Sequence, residues 1–219
     1  MTDDSGSIYS HSIDLMARAD FESARRKGFW RSVFSWVSKT NNQLLPFDEV
    51  RKNIPLTGQH YIGLREVPIH KIVGSVGRYQ DFDRAFLPKR THTRGRWERV
   101  DAAVPKDIIL PPIEVYQIGD AYFVKDGNHR VSVASEKGQQ FIDAYVIEIE
   151  SPVALTPETD VDDLIRLSEK ANFLAEMKIS ELCPGAEIEL TVPGGYDKLF
   201  EHILVHQYFM GQQQHREEI

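Results

Sequence analysis

Residues 122–138 read YFVKDGNHRVSVASEKG, and the change of pattern inside this stretch decides the fold. Tyr122, Phe123 and Val124 form an apolar, β-prone run that stops at Asp126-Gly127. A segment with helix-like spacing opens at Asn128-His129-Arg130 and closes at Gly138. Strand, tight turn and helix start are expected in succession, with polar groups crowded into the turn. A helix N-terminus presents unpaired N–H groups and the positive end of the helix dipole, which suit an anion, above all a phosphate. Gly127 permits close backbone approach, and Asn128 is a candidate N-cap. His129 adds a titratable donor and Arg130 a rigid guanidinium fork. Asp126 is expected either to cap the turn or to approach a phosphate-bound Mg2+.

Working outward, residues 111–120 (PPIEVYQIGD) supply a strand that pairs with the central one through a turn at Gly119-Asp120. Residues 141–150 (FIDAYVIEIE) supply a strand after the helix, and residues 64–72 (LREVPIHKI) an earlier one. In this setting the DGNHR string resembles the phosphate-binding turn of the ParB N-terminal/sulfiredoxin-like superfamily, a likeness covering residues 64–150. The resemblance implies an α+β fold, a small mixed sheet with helices, here extended by helical N- and C-terminal additions. It implies a nucleotide (ATP, ADP or CTP), with or without Mg2+, or another phosphorylated small molecule as ligand. Gly127, Asn128, His129 and Arg130 would form the cradle, and Arg78, shortly after Gly74 and Gly77, the opposite wall.

Three activities within the superfamily separate residue by residue. Sulfiredoxins carry a cysteine in the equivalent turn, whereas Asn128 stands here and the single cysteine is Cys183, so sulfinic-acid reduction is not expected. ParB proteins bind CTP and read DNA with a helix-turn-helix, whereas residues 160–211 suggest two helices separated by a strand. Free serine kinases look similar in their D-G-x-H-R turn and use an acidic base. Residues 73–83 (VGSVGRYQDFD) contain no Glu, which leaves Asp81, Asp83 or the upstream Glu66 as candidate bases. NTP hydrolysis or phosphotransfer is therefore one reading of the turn. The other is a non-enzymatic, DNA-associated or regulatory module. Residues 84–99 hold six Lys or Arg against one acid, Glu98, and Arg90, Arg94 and Arg96 are the candidate nucleic-acid contacts.

The chain has 219 residues, a net charge of -7 and 41% hydrophobic residues, ordinary for a globular protein and ample for a core. The acidic balance argues against a chain that coats nucleic acid non-specifically. One cysteine excludes an internal disulfide framework; Cys183 is expected to be buried or inert, and a cytoplasmic setting is expected. No apolar run is long enough to span a bilayer, and no membrane partner is expected. GxSxG, P-loop, GxGxxG and CxxC motifs are absent.

Residues 1–11 are expected to be disordered, and residues 12–63 to form a helical extension followed by an irregular linker. Within it, residues 12–38 have helical pattern and residues 47–52 suggest a short helix. Trp30, Phe34 and Val37 at i, i+4, i+7 are read as packing on the protein's own core, although a basic amphipathic helix also suits a membrane surface. Residues 151–219 are expected to be helix-strand-helix, with Asp160 as N-cap, a strand at 187–192 and a helix at 196–210. His202 and His206 share one helix face but lack a third metal-ligating residue, so no metal site is assigned. The apolar residues of the first and last helices serve a homodimer as readily as a core.

Overall fold

The computed structural model describes residues 4–38, 41–106, 108–183 and 185–217, with 4–8, 38, 180 and 213–217 described in backbone only. The elements run α1 (Asp4–Ser38), β1 (Leu45–Pro46), α2 (Phe47–Asn53), β2 (Gln59–Pro68), β3 (Ile72–Ser75), α3 (Arg94–Asp101) and β4 (Ile113–Ile118). They continue with β5 (Ala121–Asp126), α4 (Asn128–Glu136), β6 (Phe141–Ile149), α5 (Asp163–Glu176), α6 (Ile179–Leu182) and α7 (Gly195–Glu217). The strands form one mixed sheet in the order β1-β3-β5-β4-β6-β2. This is the α+β class expected from the sequence.

Alternation along the central strands splits the core into two layers. Phe123, Ile118 and Val73 face a cluster under α2 and α5 with Phe47, Val50, Leu164 and Ala171. Val124, Val115, Ile113 and Val146 face the opposite layer with Phe82, Phe86 and Val131 of α4. Outside α4 lies a third cluster, Phe21, Ala24, Leu87, Trp97 and Val133, that fastens α1 and α3. There the indole N–H of Trp97 donates to Ser132 Oγ at 2.9 Å, so the buried ring keeps its polar atom satisfied. The sheet and α3 thus fix α4 from two sides.

Several boundaries differ from the sequence reading. Residues 4–11 are turns of α1 rather than disordered, because a helix already nucleated on the buried face of Ile13, Ala17 and Phe21 propagates at little cost. Residues 1–3 lie outside the described residues. Trp30, Phe34 and Val37 are exposed rather than packed on the core. The strand expected at 64–72 starts at Gln59, pairs along β6 and ends at Pro68, which has no N–H to continue the ladder. A 3-10 turn, Ile69–Lys71, then leads to β3. Asp160 accepts from the N–H groups of Asp162 and Asp163 at 2.9 and 3.1 Å, so it caps a turn just ahead of α5. Residues 187–192 form no strand. Tyr196 instead ties them down, donating to Ile188 O at 3.0 Å and accepting from Leu190 N at 3.1 Å. α7 continues past residue 210 to Glu217. Cys183 is exposed.

Candidate functional site

β5 delivers the chain to Gly127, whose φ of 108° makes the left-handed entry into α4. A Cβ there would fall 2.5 Å from Ile113 Cγ2, so both conformation and space require glycine. Gly127 is therefore the N-cap, with no side-chain cap, and Asn128 is the first helical residue. Its side chain, expected to cap, instead takes a hydrogen bond from Ser75 Oγ at 2.8 Å, tying the end of β3 to the start of α4. Val131 N–H donates to Gly127 O at 3.1 Å. The N–H groups of Asn128, His129 and Arg130 stand ahead of that first helical bond.

His129 is 5% exposed, and among the described residues neither ring nitrogen has a hydrogen-bond partner. Its ring meets Phe82 edge-on, with centroids 5.4 Å apart. Burial pushes its pKa down to about 4, helped by the charges of Arg96, Arg78 and Arg99 and opposed by Asp81. At neutral pH it is an uncharged imidazole, not a cation. A buried, unpaired imidazole is costly, and the charges of Arg96, Arg78 and Arg99 together outweigh that of Asp81 at His129.

The loop after β3 forms the facing wall. Arg78 has φ 57°, a left-handed conformation uncommon for a side-chain-bearing residue. Its guanidinium lies 3.4 Å from Asp81, and His92 Nε2 lies 3.2 Å from the other oxygen of the same carboxylate. Asp81 is thus buried beside the turn between two cationic or cation-forming groups. Asp83, two residues on, plays a different part. It accepts from Ala85 and Leu87 N–H at 3.0 and 2.8 Å and meets Arg31 at 3.3 Å. Burial pushes its carboxyl up.

The Arg130 guanidinium lies against the turn, where a Cβ on Gly127 would fall 3.1 Å from its Cζ, but its donors are engaged within the protein. It donates to Pro111 O and to Pro112 O (2.7 Å), and pairs with Asp126 at 2.6 Å. Both residues therefore brace the entry into β4, and a ligand or Mg2+ at the turn would have to exchange with these contacts. The residues of 84–99 likewise divide. Arg84 donates to Pro157 O and Thr159 O at 2.8 and 2.7 Å, and burial lowers its pKa. Arg94 pairs with Glu98 and Glu22 at 2.6 and 3.2 Å and lies over the Phe21 ring. Arg90 donates to Gln80 at 3.2 Å. Arg96 is exposed, and among the described residues it carries no ion pair. Glu66 lines a separate cavity with Arg130, Phe141 and Asp143. Among the described residues no group of three His, Cys, Asp or Glu side chains could hold a metal ion, and His202 and His206 are exposed.

Sequence reasoning placed His92 in a basic loop that could close over a nucleotide, but did not single out Ser75, the pairing of His92 with Asp81, or the influence of the Arg96 charge on His129. The Gly-Ser-Val-Gly run at the end of β3 was the available signal for Ser75; the pairing of His92 with Asp81 is made only by the folded loop, and α3, which carries Arg96, packs on α4, which carries His129.

No family model matches the chain, and no curated protein does. Among solved structures, the chain is similar to sulfiredoxin from Arabidopsis thaliana, at 18% identity and a TM-score of 0.29, over 38% of this chain and 82% of that one.

Proposed function

We propose that this protein binds the phosphate groups of a nucleotide, or of another phosphorylated ligand, at the N-terminus of α4. The observation that carries this reading is His129: buried, without a hydrogen-bond partner among the described residues, and under the charges of Arg96, Arg78 and Arg99, which outweigh that of Asp81. A phosphate would take the N–H of the neutral imidazole and those of Asn128, His129 and Arg130, and would neutralise the arginine field. The nucleotide would be ATP, ADP or CTP, and Mg2+ would travel on its phosphates, which need few protein carboxylates. If a phosphoryl group is hydrolysed or transferred, Asp81, whose charge acts on His129, is the candidate base, and it would exchange Arg78 or His92 for the substrate hydroxyl; Asp83 is held by two backbone N–H groups in its own loop.

Calorimetric titration of ATP, ADP, CTP and GTP with Mg2+ into wild type, Arg78→Ala and Arg96→Ala tests this. Saturable binding of at least one nucleotide is expected, weakened about tenfold or more in either variant, as for loss of a charge-assisted contact. Absence of binding by all four, and by inorganic pyrophosphate, removes the reading. Equal affinity in both variants removes the arginines from the pocket.

A further inference from the structure

We infer that the C-terminal third of α1 is a docking surface for an anionic lipid bilayer. Up to Gly28 the helix has an inward stripe: Ile13, Ala17, Phe21, Ala24 and Gly28 are buried at spacings of three and four. At Gly28 the approach is close, since an added Cβ would lie 3.3 Å from Leu87 Cβ. The helix then continues to Ser38 with its large apolar side chains outside: Phe29 is 62% exposed, Trp30 57%, Trp36 82% and Val37 70%. At about 100° per residue these four fall within an arc of about 120° on the far side from the buried stripe. Arg26 lies near the centre of that arc, one turn earlier.

Charge selects the occupant. From residue 23 to residue 47 the chain has five basic residues and no acid, in a protein of net charge -7; Arg25, Lys27 and Arg31 pair with Glu22, Glu136 and Asp83 at 3.4, 2.8 and 3.3 Å, so Arg26 carries the argument. Arg25, Arg26, Phe29 and Lys89 line one cavity beside the apolar arc. Arg26 is exposed and carries no ion pair among the described residues. Tryptophan and phenylalanine flanked by arginine and lysine suit the headgroup level of a bilayer, where rings enter the acyl boundary and cations meet lipid phosphates. A second copy fits less well, because an isologous pairing on this face would bring the same cations against one another. Among the described residues no helix is long and apolar enough to cross a membrane, so this contact would be peripheral. It reverses the expectation from sequence that no membrane is involved.

The test uses the full chain in vesicle flotation, with phosphatidylcholine vesicles that either contain or lack phosphatidylserine. Flotation is expected with the anionic vesicles only. Tryptophan emission should shift to the blue on binding, since two of the three tryptophans lie in the exposed arc and Trp97 is already buried. Trp30→Ser with Trp36→Ser should weaken partitioning by about tenfold or more, and Arg26→Gln by about fivefold. These side chains are exposed, so circular dichroism should not change. Three results would overturn the inference. One is failure to float with either vesicle; another is binding unchanged in the variants. The third is a concentration-dependent dimer that the tryptophan variants dissolve while vesicles are ignored, which would make the occupant a second copy.

Discussion

Acidification offers a quantitative test of the environment of His129. With a folded pKa of about 4 against an ordinary value near 6.5, the folded state holds fewer protons than the unfolded chain between those limits. Stability therefore rises with pH across this window. The contribution is complete above about pH 6.5 and is lost as pH falls towards 4. Integrating the two titrations gives a loss of about 2 kcal/mol between pH 8 and pH 5, approaching about 3 kcal/mol near pH 4. The chain has seven other histidines, so the measurement is a difference. Urea unfolding of wild type and His129→Gln at pH 8 and pH 5 isolates it. Wild type should lose about 2 kcal/mol more than the variant on acidification. Equal losses would mean that His129 titrates in the fold as it does in the unfolded chain, and the buried-imidazole argument would fail.

Gly127→Ala should cost about 3 kcal/mol, from a left-handed backbone and the approach to Ile113 Cγ2, and should lower the thermal midpoint; a neutral substitution would contradict the geometry of the turn. Arg130→Ala should cost about 2 kcal/mol through lost bonds to Pro111, Pro112 and Asp126, yet leave nucleotide affinity of the folded protein within about twofold. Loss of binding without loss of stability would restore Arg130 to the cradle. Asp83→Ala should cost roughly 2–4 kcal/mol in urea unfolding, since Ala85 and Leu87 N–H lose their acceptor. A stable Asp83→Ala protein that binds nucleotide but no longer turns it over would return the base to that position.

The strand-turn-helix was legible because three local rules agree there: β-branched and aromatic alternation, a glycine that must take positive φ, and helical spacing from Asn128. Which polar groups face the turn was not legible. Arg130 and His129 are adjacent in sequence, but one helical step sends the guanidinium to the carbonyls ahead of β4 and the imidazole towards Phe82 and Arg78. Asp81 and Asp83 look equivalent in QDFD, and only the folded loop gives one to Arg78 and His92 and the other to backbone N–H groups. The basic count of residues 84–99 suggested a free cationic loop, yet Arg84 and Arg94 serve contacts with residues far along the chain. The strand expected at 187–192 failed for a related reason. Alternation proposes a strand, but a strand needs a neighbour, and Tyr196 engages that backbone instead.

The most direct measurement is a titration of the 15N-labelled protein with ADP and with pyrophosphate, followed by amide NMR. Binding at the N-terminus of α4 should move the Asn128, His129 and Arg130 amides first and furthest, with smaller shifts at Gly77 and Arg78. Saturable shifts confined to other segments, with these amides unmoved, would contradict a phosphate site at this turn.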